Sequence, residues 1–230
     1  MSNRRPLPPA GPKAARSAPR AEIKLVVFDM EGTLTANPTL WEIMHLKVGT
    51  WDSHGRPYWE AFKAGELDYD RFAQMDVAAW KGADAPLFDR AVSEVPLMPG
   101  CEELLGHLHA RGIRTAIVSN GLERLGLRLA RRFSIWRVLA NREVIERGRL
   151  TGELDIRVPF ERKAEAMLEA AHDLGIGPEN VAAVGDGRAD VAMFRRAGKS
   201  IAFLPENPGV ASEADHVVRE ADLRRLLEIL

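Results

Sequence analysis

Two carboxylates one residue apart, Asp29 and Glu31, follow directly on an apolar run, and Gly32-Thr33 turns the chain away after them. Residues 23–28 read as a buried parallel strand that stops at a carboxylate. Open α/β sheets bind ligands at that end of a strand. Acids so placed can divide labour: one attacks, the other moves a proton. Far downstream, residues 184–190 (Val-Gly-Asp-Gly-Arg-Ala-Asp) repeat the order strand, glycine, acid, glycine. Gly185 and Gly187 allow a tight loop that can aim Asp186 at a hard cation, with Asp190 four residues on. Mg²⁺ suits such a place, since it takes a few carboxylates, waters and a phosphate oxygen. An Asx-turn followed by a helix cap would be spelled in the same way. Taken together, the two acid pairs describe metal-assisted phosphoryl transfer.

Two further groups fit that chemistry. Ser119-Asn120-Gly121 follows the apolar run at 113–118 and precedes a helical pattern. It reads either as an anion site at a helix N-terminus or as ordinary Ser/Asn capping. Lys163 opens another helix, where a cation opposes the macrodipole. It is either a solvated lysine or one held by an anion nearby.

The elements that must position these groups alternate. Strand-like runs lie at 23–28, 113–118, 181–184 and 200–203, with another at 135–140. Helical patterns at 102–111, 122–132, 161–174 and 188–197 separate them, and Asp222 could cap a last helix reaching Leu230. Alternation of this kind predicts an α/β, doubly wound (Rossmann-like) parallel sheet with helices on both faces. Segments 143–145 and 150–154, around Arg147-Gly148-Arg149, spell a β-hairpin. Residues 36–97 break the rule: amphipathic segments at 39–48, 56–64, 68–80 and 85–94 follow one another without a strand. Asp68 and Asp84 are candidate caps there, and Pro86 suits a first turn. The expected organisation is therefore a core of residues 22–35 and 98–230 with a helical bundle cap, 36–97, placed over the sheet's carboxyl edge as a lid. Trp41, Trp51, Trp59 and Trp80 are expected to form that bundle's own core.

Composition narrows the function classes. Of 230 residues, 46% are hydrophobic and 28% charged, as in a globular protein. Residues 1–21 hold five basic residues, five prolines and no acid, and read as a disordered tail. The remainder carries 27 basic against 33 acidic residues, a net of −6, which argues against a nucleic-acid surface. No apolar run approaches the ~20 residues of a membrane span. Cys101 is the sole cysteine; it excludes an intrachain disulfide, fits a cytoplasmic setting and reads as a small buried residue.

In order and spacing these motifs resemble the haloacid dehalogenase superfamily, and within it the phosphoserine phosphatase-like branch, from about residue 23 to the C-terminus. The resemblance implies that Asp29 is a nucleophile forming an aspartyl-phosphate, and that Glu31, where the family usually has a second Asp, is the general acid and base. It implies a Mg²⁺ site made of Asp29, the Glu31 carbonyl, Asp186 and Asp190, with Asp190 also able to orient Lys163. Ser119, Lys163 and the Gly32 and Asn120 amides would hold the phosphoryl group. Ala189 stands where the family has an Asn. Pro38 and Asp76 stand where phosphoserine phosphatases hold the amino acid with a Glu and an Arg. An Asp would repel a substrate carboxylate, and losing such a partner costs ~2–5 kcal/mol. Asp76, with Trp80 a turn away, is thus a candidate specificity residue, unless it is an ordinary solvated helix position. The expectation is a Mg²⁺-dependent phosphomonoesterase acting on a small metabolite as a monomer or homodimer. The alternatives are a phosphotransferase with the same intermediate and a non-catalytic phosphate-binding regulator.

Overall fold

Strand β1 (Leu25–Phe28) is apolar at every position because both of its faces are covered. Val26 and Phe28 enter one hydrophobic cluster and Leu25 and Val27 the other, as the two-residue period of a strand demands. The structure, a computed structural model, describes residues 21–230; the expected disordered tail lies outside the described residues apart from Ala21.

After β1 come α1 (Leu40–Val48), a π-helical turn (Trp51–Gly55), α2 (Arg56–Ala64), α3 (Tyr69–Ala79) and α4 (Ala85–Glu94). They match the four amphipathic segments closely. Asp68 and Asp84 cap α3 and α4, accepting from Arg71 N at 2.8 Å and Leu87 N at 2.6 Å. The chain leaves and rejoins the sheet along paired strands of linker: Ala36 N donates to the Pro96 carbonyl and Met98 N to that of Leu34, both at 3.0 Å.

The rest alternates: α5 (Cys101–Ala110), β2 (Arg114–Leu122), α6 (Glu123–Phe133), β3 (Arg137–Glu146), β4 (Arg149–Asp155), α7 (Lys163–Asp173), β5 (Val181–Gly185), α8 (Val191–Arg196), β6 (Lys199–Phe203), α9 (Pro208–Ser212) and β7 (His216–Val218). They form a seven-stranded sheet in the order β4-β3-β2-β1-β5-β6-β7. Only the β3–β4 pair is antiparallel. The fold is thus α/β and doubly wound. Strand order reverses around β1, so the crevice beyond the ends of β1, β2 and β5 is the ligand site such sheets provide.

Some elements differ from the sequence reading. The strand expected at 135–140 and the first arm of the hairpin are one continuous strand, β3. The hairpin also braces the helical insert. Gly82 N donates to the Leu150 carbonyl, Leu150 N to that of Ala83 and Ala85 N to that of Gly148. Gly152, at φ +84°, permits this approach, since a Cβ there would lie 3.1 Å from Lys81 Cβ. Strand β7 is too short to show a period. The expected last helix is a single 3₁₀ turn, 223–226, because Leu223 N is tied to the Pro99 carbonyl at 2.8 Å and Leu223, Leu226 and Leu230 are all drawn into the core. Cys101 is buried, and burial pushes its thiol up to about 12. Among the described residues no helix is long and apolar enough to cross a membrane.

Candidate active site

Every candidate catalytic side chain emerges from the carboxyl edge of the sheet or from a helix facing it. Asp29 follows β1, and its amide donates to the Val184 carbonyl of β5 at 2.8 Å, so the backbone register aims it into the crevice. Lys163, 134 residues away, reaches it from the first position of α7: Nζ donates to Asp29 Oδ1 and to Asp190 Oδ1, each at 2.6 Å. The lysine is only 2% exposed. Burial opposes its charge, but the carboxylates of Asp190 and Asp29 outweigh it and hold the ammonium protonated. A solvated surface lysine is excluded.

Asp186 and Asp190 hold the loop after β5. Asp190 Oδ2 accepts from the amides of Asp186 and Gly187, both at 3.0 Å. Gly185 is required for that turn, because a Cβ there would lie 2.2 Å from the Asp190 carboxyl carbon. Thr33 Oγ1 donates to Asp186 Oδ1 at 2.9 Å. Gly32, at φ +87°, passes so close that a Cβ would meet Asp186 Oδ2 at 2.4 Å. Carboxylate oxygens of Asp29, Asp186 and Asp190 lie within 4.8 Å of one another. Burial, then the charges of Asp29 and Asp190, push the Asp186 carboxyl well above the usual range. Three carboxylates facing one ammonium form an anionic, all-oxygen donor set. Such a set fits a hard divalent cation such as Mg²⁺.

The Glu31 side chain turns away from that cluster towards the helical insert. Its oxygens accept from Leu40 N and from Trp41 Nε1, both at 2.8 Å. Burial pushes its carboxyl up to about 7; the Leu40 amide pulls it down, the Asp29 charge raises it and the indole lowers it. A carboxyl poised near neutrality can both give and take a proton.

Ser119 and Asn120 need a correction. Strand β2 continues through them to Leu122, α6 starts at Glu123, and neither side chain caps it. Ser119 is buried with its Oγ accepting from Gly121 N at 3.1 Å. Asn120 Nδ2 donates to the Val158 carbonyl at 2.8 Å. The Gly32 amide, expected to face the phosphoryl group, donates instead to the Thr35 carbonyl at 3.0 Å. The tryptophans divide. Trp80 and Trp41 are core, at 1% and 8% exposure, as expected, and Trp41 also lines, with Trp51 and Trp59, a cavity of about 640 Å³ above the acids. Asp76 also lines it and is wholly buried, so it is no solvated helix position; Trp80 stands behind it.

Three supports escaped sequence reading. The Trp41–Glu31 bond joins insert to catalytic strand, and the clue was a tryptophan at the start of the first helix after the motif. Asn141, buried in β3, donates to the Asn120 carbonyl at 2.6 Å and accepts from the Arg157 and Val158 amides, both at 2.9 Å. It thereby fixes the segment that leads into Lys163; an amide directly after the apolar run Val138-Leu139-Ala140 was its signal. Gly55 closes the π-helical turn against His45, where a Cβ would lie 2.7 Å from the ring.

The haloacid dehalogenase-like hydrolase family matches residues 26–195, and the chain belongs to this family. It is an enzyme of the phosphatase class. It is 30% identical over 208 residues to the phosphoserine phosphatase of Methanocaldococcus jannaschii, covering 90% of this chain and 97% of that one. It is likewise 30% identical to the phosphoserine phosphatase of Lactococcus lactis, covering 90% and 93%. Among solved structures, a phospho-aspartyl intermediate analogue of phosphoserine phosphatase superposes with a TM-score of 0.82 at 27% identity, over 91% of this chain and 100% of that one.

Proposed function

We propose that this chain is a Mg²⁺-dependent phosphomonoesterase that works through an aspartyl-phosphate on Asp29 and acts on a small phosphorylated metabolite. The observation that carries the proposal is the buried Lys163 ammonium held between Asp29 and Asp190, with Asp186 beside them. Asp29 Oδ attacks phosphorus and the bond to the leaving oxygen breaks, with Glu31 giving that oxygen its proton. Glu31, now a carboxylate, takes a proton from the water that attacks phosphorus in turn, which frees inorganic phosphate and restores Asp29. Lys163 offsets the charge that would make Asp29 repel a phosphate dianion, and the Ser119 hydroxyl is available to the phosphoryl oxygens. Asp29 and Asp186 would hold Mg²⁺, with Asp190 positioning the lysine; the ion, when bound, supplies charge neutralisation for phosphoryl transfer. Positioning and electrostatics of this kind do most of the catalysis in such reactions.

The test is phosphate release from a panel of phosphomonoesters, with Mg²⁺ and with EDTA. Mg²⁺-dependent release that EDTA abolishes is expected. A folded, Mg²⁺-binding protein with no release from any ester would overturn the reading, and transfer to an added alcohol in preference to water would make it a phosphotransferase.

The indole bond to Glu31 gives a separate prediction. Trp41→Phe keeps a six-membered aromatic ring but removes the pyrrole ring with its N–H donor, and a hydrogen bond to a charged group contributes about 1.5–3 kcal/mol. The expected result is a fall in kcat of roughly 10- to 100-fold with the far-UV circular dichroism and cooperative melting of the folded protein retained. An unchanged kcat would mean that the indole does not position the acid.

A further inference from the structure

The cavity over the acid cluster has a second chemical signature that the catalytic scheme leaves unused. Asp76, in the middle of α3, has no exposed surface yet lines the cavity, and among the described residues its Oδ2 has no hydrogen-bond or ion-pair partner. His45 Nε2 lies 3.0 Å from Asp76 Oδ1, within ion-pair reach when the ring is protonated, and the other ring nitrogen is 2.8 Å from the Thr50 hydroxyl. His45 therefore partners one carboxylate oxygen and leaves Oδ2 without a donor. A buried carboxylate only half paired is costly to maintain, and one that borders a cavity can be completed by a donor on a ligand.

The walls around it are aromatic: Trp41, Trp51, Trp59, Phe62, Tyr69 and Phe160 line the same space. Asp29, Glu31 and Asp76 line one cavity, so a ligand in it can face both the reacting centre and Asp76. Aromatic faces attract cations, and a carboxylate among them favours a cation bearing N–H donors. The remaining charges of the lining agree. Glu42 and Glu206 are acidic, and the described basic lining residue other than Lys163 is Arg188. Its guanidinium sits over Phe62 and Phe160, 5.8 and 5.9 Å from the ring centres, with Nε 3.8 Å from Glu206. The Arg188 side chain is 60% exposed and so stands at the mouth of the cavity, and a substrate carboxylate directed at Asp76 would meet repulsion.

Building on the phosphomonoesterase reading, we infer that Asp76 is a specificity residue that binds the protonated amine of the leaving group. The preferred substrates are phosphomonoesters of amino alcohols that carry no carboxylate.

Steady-state kinetics on the full-length, Mg²⁺-loaded protein test this with O-phosphoethanolamine, L-phosphoserine and ethyl phosphate. For the wild type, phosphoethanolamine is expected to show a KM at least about 10-fold below that of either other ester. Asp76→Asn is expected to lower the preference for phosphoethanolamine over ethyl phosphate, as a ratio of kcat/KM, by roughly 30-fold. Equal KM values for phosphoethanolamine and ethyl phosphate, a preference for L-phosphoserine, or an unaltered ratio in the variant would each overturn the inference. The wild-type ranking needs no variant, so poor folding of Asp76→Asn leaves the test intact. Turnover of ethyl phosphate without amine preference sinks this inference alone. No Asp29-dependent turnover of any ester sinks the phosphatase reading with it.

Discussion

Asp29→Asn is expected to abolish turnover while leaving the fold in place. The amide is isosteric with the carboxylate and can present its oxygen to Lys163 Nζ, which sits 2.6 Å from Asp29 Oδ1. The backbone bond from Asp29 N to Val184 is untouched. What disappears is the nucleophile, and residues that act as a catalytic unit lose most of the unit's rate when one is removed. Phosphate release is expected to drop by at least roughly 10⁴-fold, with the melting temperature of the metal-free protein held or raised. A rise has a physical reason: burial and the charges of Asp29 and Asp190 strain Asp186, and neutralising Asp29 relieves part of that. Residual activity above about one per cent of wild type, against the loss such units show, would mean that another group attacks phosphorus.

Lys163→Met should do the opposite to stability. The ammonium is buried between two carboxylates, with a third nearby. Methionine keeps the bulk of the stem and removes the charge. Breaking a buried ion pair from one side typically costs about 3–5 kcal/mol. For a chain of this size that is a fall in melting temperature of roughly 6 to 20 °C. Activity is expected to fall as well, by roughly 10²–10³-fold or more, the range seen when one electrostatic donor to a transition state is lost. Calorimetry and phosphate release on the same sample separate the two effects. A variant as stable as wild type would show that the carboxylates are not strained against one another.

The chemistry was legible in the sequence where an acid ends an apolar run. Asp29 and Asp186 could be placed at neighbouring strand ends because a parallel sheet brings all its carboxyl ends to one edge. Lys163 had only an unfavourable position at a helix start to mark it, and the structure explains that position by burying the ammonium on two carboxylates. The helical insert was legible from its period and caps. The Ser119-Asn120 step was placed correctly just before the helix, which starts at Glu123, but the capping alternative fails because Asn120 is held instead by bonds to Val158 and Asn141. Trp41 on Glu31 and His45 beside Asp76 were not legible at all. Both cross between segments with no fixed spacing, and only the packing of α1 against the motif loop and α3 brings them together.

These details also bear on how insert and sheet work together. Glu31 is the hinge of that relation: its carboxylate is hydrogen-bonded by the first two residues of α1, so movement of the insert would change the surroundings of the proposed general acid. The hairpin bonds at Gly82, Ala83 and Ala85 tie the opposite end of the insert to β4 and the β3–β4 turn.

The most direct test of the central claim is covalent. The wild-type protein with Mg²⁺ and a turned-over phosphomonoester is quenched in acid, and its intact mass and peptide masses are read. The account predicts a fraction carrying one added phosphoryl group, acid-stable and hydroxylamine-sensitive as an acyl phosphate is, on the peptide containing Asp29, and none in Asp29→Asn. Phosphate release without any such adduct, or an adduct on another residue, would contradict it.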